Sequence, residues 1–272
     1  MKDSVDRTDA MGRSVRVPAE PRRIVSLVPS LTETLFLYGV GDRVVGITAF
    51  CIEPRERLLG LPRVGGTKTP KLEAIGALQP DLVLANAEEN EKPNIERLEA
   101  MGLAVYVTFP RTVRESVAML RDLIPVVGAG ETATRLCDEV EAACLRRVAA
   151  SPARRVRFFC PIWRKPYMTI NRDTYVHDLL TLCGGENVFA DAPARYPTVT
   201  LEEVAAQRAE VILLPDEPFR FTKKHLPDFE VHPDIPAVSA RRIHFLDGKL
   251  VTWHGPRIGE ALQTIPALLR AE

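Results

Sequence analysis

The side chains best able to ligate a soft metal or act as nucleophiles are five histidines (His177, His225, His232, His244, His254) and five cysteines (Cys51, Cys137, Cys144, Cys160, Cys183). No HxH or HExxH pattern occurs, so sequence neighbours do not preassemble a zinc site. The cysteine count is odd and no CxxC pair is present, which points to packed thiols rather than a zinc ribbon or a disulfide framework. Gly65-Gly66-Thr67-Lys68 has the look of a phosphate loop but lacks the full GxxxxGK(S/T) spacing. No GxSxG elbow is present. Ser26 and Ser30 lie near Glu33, but a helix start explains that grouping without catalysis. No catalytic residue, resident cofactor or metal site is therefore expected, and binding chemistry remains. His254 follows Trp253 and precedes Gly255-Pro256-Arg257, where an imidazole could hydrogen-bond an amide-bearing ligand or reach a metal centre. Cys51 could pack, or ligate cobalt or iron as a thiolate. The acidic run Glu88-Glu89-Asn90-Glu91 is a solvated loop or a polar recognition element with Glu89 and Asn90 foremost.

These residues need elements to position them. Ile24–Val28 is a short apolar run of the kind a buried parallel strand shows. Pro29-Ser30-Leu31-Thr32-Glu33 follows, with a capping-box spacing at Ser30 and Glu33 and a stop at Gly39. Val44–Ile47, Leu82–Ala85 and Ala104–Phe109 read as further strands. Helices are expected from Thr69-Pro70 onward, over 94–101, and after a second capping box at Thr112 and Glu115. Strands alternating with short helices imply βαβ units and a parallel sheet. Glu131–Ala150 then carries a helical apolar period without Gly or Pro, after which the alternation resumes at Val156–Phe159. Residues 1–23 read as an extended, polar lead-in.

The two halves echo each other. Leu72-Glu73-Ala74-Ile75 through Asp81-Leu82-Val83-Leu84 aligns with Leu201-Glu202-Glu203-Val204 through Glu210-Val211-Ile212-Leu213, and a helix ending Leu37-Tyr38-Gly39 or Leu182-Cys183-Gly184 precedes each. The expected fold is α/β: two Rossmann-like lobes with parallel sheets, joined by one long helix. The lobes would span 1–129 and 152–272, with the connecting helix at 130–151. Ligands of such sheets sit beyond the carboxyl ends of the strands, so the cleft between lobes should be lined by the segments that follow strands. Those segments hold Phe50, Trp163, Tyr167 and Trp253, and Tyr196 precedes the second repeated helix. So many aromatic faces suggest a flat, conjugated or bulky ligand.

Lys+Arg and Asp+Glu both number 36, which gives no basic footprint for nucleic acid. No apolar run approaches a membrane span. The N-terminus is polar and lacks the apolar core of a signal peptide, which taken literally would keep the chain in the cytosol.

The chain resembles the class III solute-binding proteins of ABC importers, whose members carry cobalamin, ferric siderophores or heme. The resemblance extends from about Thr8 to Leu269 and is most specific at Pro21-Arg22-Arg23-Ile24-Val25-Ser26-Leu27, Pro29-Ser30-Leu31-Thr32-Glu33, Pro80-Asp81-Leu82-Val83 and Cys183-Gly184-Gly185-Glu186-Asn187-Val188-Phe189. At Tyr196-Pro197-Thr198-Val199-Thr200-Leu201-Glu202-Glu203-Val204 it looks most like the cobalamin-binding branch. The resemblance implies a rigid interlobe helix and a corrinoid carried as transported ligand. Phe50 falls where that branch sets an aromatic against the corrin, Tyr167, Tyr196 and Trp253 on or beside similar positions, and Arg257 on a polar anchor. Lys68, Glu89, Asn90, His254 and Arg257 could satisfy the ligand's amides. Thr67 and Asn86 stand where cobalamin binders carry tryptophans, a departure that reduces stacking area. Glu73 and Glu202 match the glutamates by which the family docks on its permease dimer. A first-turn glutamate favoured by the helix dipole is the alternative for each. The resemblance further implies a monomer that is not membrane-embedded, in a periplasmic or extracytoplasmic setting. A ferric-siderophore binder, with Arg111, Arg164 and Arg257 meeting an anionic chelate, is the second reading. A cytosolic cofactor-handling protein on the same fold is the third.

Overall fold

The computed structural model describes residues 4–150 and 152–270. They form two compact units. The first runs through Pro110 and takes in Glu115–Glu139, and the second holds Arg111–Arg114 and the chain from Val140 onward.

The first unit opens with β1 (Ser4–Thr8) and β2 (Ser14–Pro18), an antiparallel hairpin in register Thr8 to Ser14. This corrects the extended lead-in expected from composition. Val15 and Val17 alternate with polar residues and are buried, and Gly12 takes φ +74 in the turn. Asp9 closes that turn by accepting the backbone N–H groups of Met11 and Arg13. The chain then winds through β3 (Ile24–Ser26), α1 (Pro29–Leu37), β4 (Val44–Ile47), α2 (Leu72–Ala77), β5 (Leu82–Asn86), α3 (Lys92–Ala100) and β6 (Val105–Thr108). The four strands after the hairpin make a parallel sheet in the order β4-β3-β5-β6. Val25, Leu27, Ile75, Val83, Ala85, Leu98 and Val107 form its core. Two helix starts differ from expectation. The residue preceding α1 is Val28, with no side-chain cap, so Pro29 opens the helix and Ser30 and Glu33 are buried within it. The start of α2 is two residues later than expected, because Gly66 N–H bonds Thr69 O and Gly65 pairs with Pro70 in a turn.

After α4 (Val113–Val127), α5 (Glu131–Ala149) carries the chain from the first unit into the second. The second unit contains β7 (Val156–Phe159), β8 (Tyr167–Met168), α6 (Tyr175–Leu182), β9 (Gly185–Asn187), β10 (Thr198–Val199), α7 (Leu201–Ala206) and β11 (Val211–Pro215). Then come α8 (Leu226–Glu230), α9 (Pro236–Ser239), β12 (Ile243–Leu246), α10 (Lys249–Thr252) and α11 (Ile258–Thr264). Its parallel sheet has the order β12-β11-β7-β9. Read from the other edge, this is the topology of the first sheet: the first strand of each unit is flanked by the second and third, and the fourth lies outside the third. The internal echo therefore has a structural counterpart, with α2–β5 in one unit matching α7–β11 in the other. Here the capping box does form, since Thr200 and Glu203 exchange side-chain to backbone bonds at the start of α7. A two-stranded antiparallel ribbon, β8 with β10, lies outside the sheet.

Candidate ligand-binding faces

In the first unit the loops after β3, β4 and β5 meet at the carboxyl end of the sheet. Ala49 N–H bonds Gly65 O at 2.8 Å, folding the long loop after β4 back on itself. Phe50 is 61% exposed and its ring edge lies over Gly66, where a Cβ would come within 3.4 Å of it. Asn90 holds the third loop. Its Nδ2 donates to Thr67 O, and its Oδ1 accepts the Asn86 N–H. Asn86 in turn accepts the N–H groups of Glu88 and Glu89 through Oδ1 and donates from Nδ2 to Thr108 Oγ1. Lys68 Nζ donates to Glu88 O. Glu89 is half-buried, and burial raises its carboxyl pKa against the pull of Lys68.

The structure thus brings Phe50, Thr67, Lys68, Asn86, Glu89 and Asn90 together, but in two layers. Phe50, Lys68 and Glu89 reach the surface. Asn86, Asn90 and Thr67 are buried and brace the loops. Cys51 also turns inward. It is fully buried, Thr32 Oγ1 donates to its Sγ at 3.1 Å, Thr48 Oγ1 lies 3.2 Å away, and burial pushes the thiol pKa up. A neutral, packed thiol is what this geometry holds.

In the second unit the segment after β7 presents Trp163, 45% exposed, edge-on to Phe219 at a centroid distance of 5.6 Å. Phe219 also meets Phe221 at 4.8 Å and His225 at 5.3 Å. His225 Nδ1 accepts the Thr222 N–H, which fixes that loop. Tyr167 packs on Phe229 and donates its hydroxyl to Asp228. Tyr196 is half-buried, with the Arg195 guanidinium 5.7 Å from its ring centroid.

Trp253 is only 5% exposed, with the Arg257 guanidinium 5.4 Å from its ring centroid. Glu217, whose carboxylate accepts the Thr252 hydroxyl, lies near the Trp253 indole. His254 is buried edge-on to Tyr175 at 4.6 Å, and burial, helped by Arg195, lowers its pKa to about 4. Among the described residues no three His, Cys, Asp or Glu side chains gather into a metal cage, and no helix is long and apolar enough to cross a membrane.

Sequence reasoning missed Glu217, Arg195, Phe219 and Asp228 as individual residues. Glu217 and Phe219 both lie on the segment that follows β11, but Asp228 had no local signal. Its role depends on a contact 64 residues away, to Arg164. Glu73 and Glu202 occupy the first turns of α2 and α7 and are exposed. Arg97 approaches Glu73 at 3.9 Å. Backbone N–H bonding at the helix start, with Thr200, lowers the Glu202 pKa.

Two α/β units of like topology thus carry exposed aromatic side chains at the carboxyl ends of their sheets, Phe50 in the first and Trp163 in the second. Residues 24–250 match the sequence profile of the periplasmic binding protein family. The chain belongs to this family. Among its relatives, the vitamin B12-binding protein of Vibrio parahaemolyticus is 30% identical over 216 residues, which are 78% of this chain and 74% of the relative. That of Vibrio cholerae is 32% identical, over 76% and 72% of the two chains. Among solved structures, the periplasmic heme-binding protein RhuT from Roseiflexus superposes with a TM-score of 0.81 at 26% identity, over 91% of this chain and 97% of that one. The periplasmic vitamin B12 binding protein BtuF of Vibrio cholerae superposes at 0.78 and 24% identity, over 92% and 97%. As a periplasmic binding protein, the chain binds its ligand and does not turn it over.

Proposed function

We propose that this protein is the extracytoplasmic solute receptor of an ABC importer, that its ligand is a corrinoid, and that it hands the ligand to a permease. The observation that carries the ligand assignment is the set of vitamin B12-binding relatives at about 30% identity over some three quarters of the chain. The side chains at the strand ends fit that chemistry. Phe50, Trp163, Tyr167 and Tyr196 offer apolar faces to a flat macrocycle. Lys68, Glu89 and Arg257 offer donors and acceptors for its amides. His254 and Asn90 act from behind these side chains.

The engagement of Arg164 and Arg257 within the chain favours an amide-bearing ligand over an anionic chelate. Arg164 is engaged by Asp228, and Arg257 lies against Trp253 and within 3.8 Å of Glu260. Both arginines are thus occupied at positions where a ferric-siderophore receptor would want them open. Glu73 and Glu202, equivalent residues of the internal repeat, give each unit one carboxylate for an arginine of the permease.

Equilibrium dialysis against cyanocobalamin in parallel with a ferric catecholate siderophore tests the assignment. Retention of the corrinoid alone is expected. Retention of the ferric chelate alone contradicts it.

A further inference from the structure

Arg164 and Asp228 meet at the carboxyl end of the second sheet. Arg164 lies on the segment after β7, and Asp228 lies in α8 on the connection after β11. The pair is bidentate: Arg164 Nε donates to Oδ2 at 2.6 Å and Nη2 to Oδ1 at 2.9 Å. The Tyr167 hydroxyl donates to the same Oδ2 at 2.7 Å. Three donors, with Lys165 close by, hold the Asp228 carboxyl at a pKa of about 2, so it is ionised throughout the physiological range. The two side chains are 20% and 27% exposed, reachable by a ligand yet shielded enough for the pair to persist. Trp163, the neighbour of Arg164 in sequence, is 45% exposed.

A guanidinium on the same strand-end segment as an exposed indole suits a flat macrocycle bearing carboxylates, because the planar fork matches a carboxylate bidentately. Asp228 fills that fork. An anionic substituent arriving here must displace an internal carboxylate or lie against it, and like-charge juxtaposition is strongly unfavourable. A neutral amide meets no such opposition.

We propose that Asp228 is a specificity-determining residue: by occupying Arg164 it selects amide-bearing over carboxylate-bearing planar metal chelates. The inference rests on the reading of this surface as ligand-contacting. It does not require that the ligand be a corrinoid.

Calorimetric titration of the full chain with cyanocobalamin and with hemin tests it, using the wild type, Asp228→Asn, Arg164→Gln and the double variant. Asp228→Asn keeps the side chain's shape and frees the guanidinium. Hemin affinity relative to cyanocobalamin is expected to rise about tenfold, the scale on which close charge pairs discriminate ligands. Arg164→Gln leaves the carboxylate uncompensated and is expected to lower that ratio. The double variant should return it to within about threefold of the wild type, a rescue that loss of structure cannot produce.

Should no protein bind cyanocobalamin, hemin affinity alone is the readout. A rise in Asp228→Asn then sustains the role of Asp228 while the corrinoid assignment falls. Hemin binding no tighter in a folded Asp228→Asn than in the wild type overturns the proposal. If Asp228→Asn does not fold, an Arg164→Gln protein whose ratio equals the wild type's overturns it instead.

Discussion

Asn90 donates its side-chain amide to the carbonyl oxygen of Thr67 at 2.9 Å, bridging two loops at the carboxyl end of the first sheet. The same side chain accepts the Asn86 N–H, so one buried amide fixes both loops around Phe50 and Lys68. Asn90→Ala leaves a buried N–H and a buried carbonyl without this partner, at a cost of about 2 kcal/mol. Urea unfolding should show a lowered midpoint with an unchanged m value. Ligand affinity should fall as well, because the loops lose their tie.

His254 makes stability depend on pH. Its folded-state pKa of about 4 lies below the ordinary 6.5, chiefly because burial disfavours the cation. Between those values the unfolded chain binds more protons than the folded one, so stability rises with pH through the window and is lost as pH falls from 6.5 toward 4. The full effect is about 3 kcal/mol. Unfolding free energies of the wild type and His254→Gln, measured across this range, should differ in slope, with the variant flatter. Parallel slopes would remove His254 as the cause.

The two tryptophans should separate ligand contact from support. Trp163 is 45% exposed, so Trp163→Ala should change stability little and weaken corrinoid binding about tenfold through lost aromatic contact. Trp253 is 5% exposed and packs under the Arg257 guanidinium, so Trp253→Ala should cost about 3–5 kcal/mol of stability as well as affinity. Thermal melts and ligand titrations on the same preparations check both. A destabilised Trp163→Ala with full affinity would reverse the two roles.

Glu73 and Glu202 should matter for delivery and not for capture. Both are exposed first-turn residues, and substitutions at such positions fall within about 0.5 kcal/mol of neutral. Glu73→Ala with Glu202→Ala should leave the melting temperature and ligand affinity near wild type while lowering uptake through a reconstituted permease. Undiminished uptake by the double variant would assign docking to other residues.

Much of the fold was legible in the sequence because buried parallel strands are short, mostly apolar runs: β4 and β7 fall where Val44–Ile47 and Val156–Phe159 place them. The hairpin β1–β2 escaped notice because its alternation is only five residues long and sits among charges. The capping-box spacing at Ser30 and Glu33 misled because Pro29 already opens α1, which a pattern of side chains alone does not weigh. At the strand ends, sequence position placed the candidate residues on the loops that follow strands but could not tell which side chains face outward. Phe50 and Trp163 do; Cys51, Asn86, Asn90, Trp253 and His254 are turned inward by hydrogen bonds and packing partners distant in sequence. Asp228 shows the limit most clearly, because its meaning lies in Arg164 and Tyr167, on another segment of the chain.

Capture of a corrinoid is the property on which the proposed role stands. Isothermal titration of the purified, folded, ligand-free chain with cyanocobalamin tests it most directly. Saturable one-to-one binding at micromolar affinity or tighter is expected, with a negative heat-capacity change from burying the macrocycle on aromatic side chains. A flat titration of folded protein would contradict it.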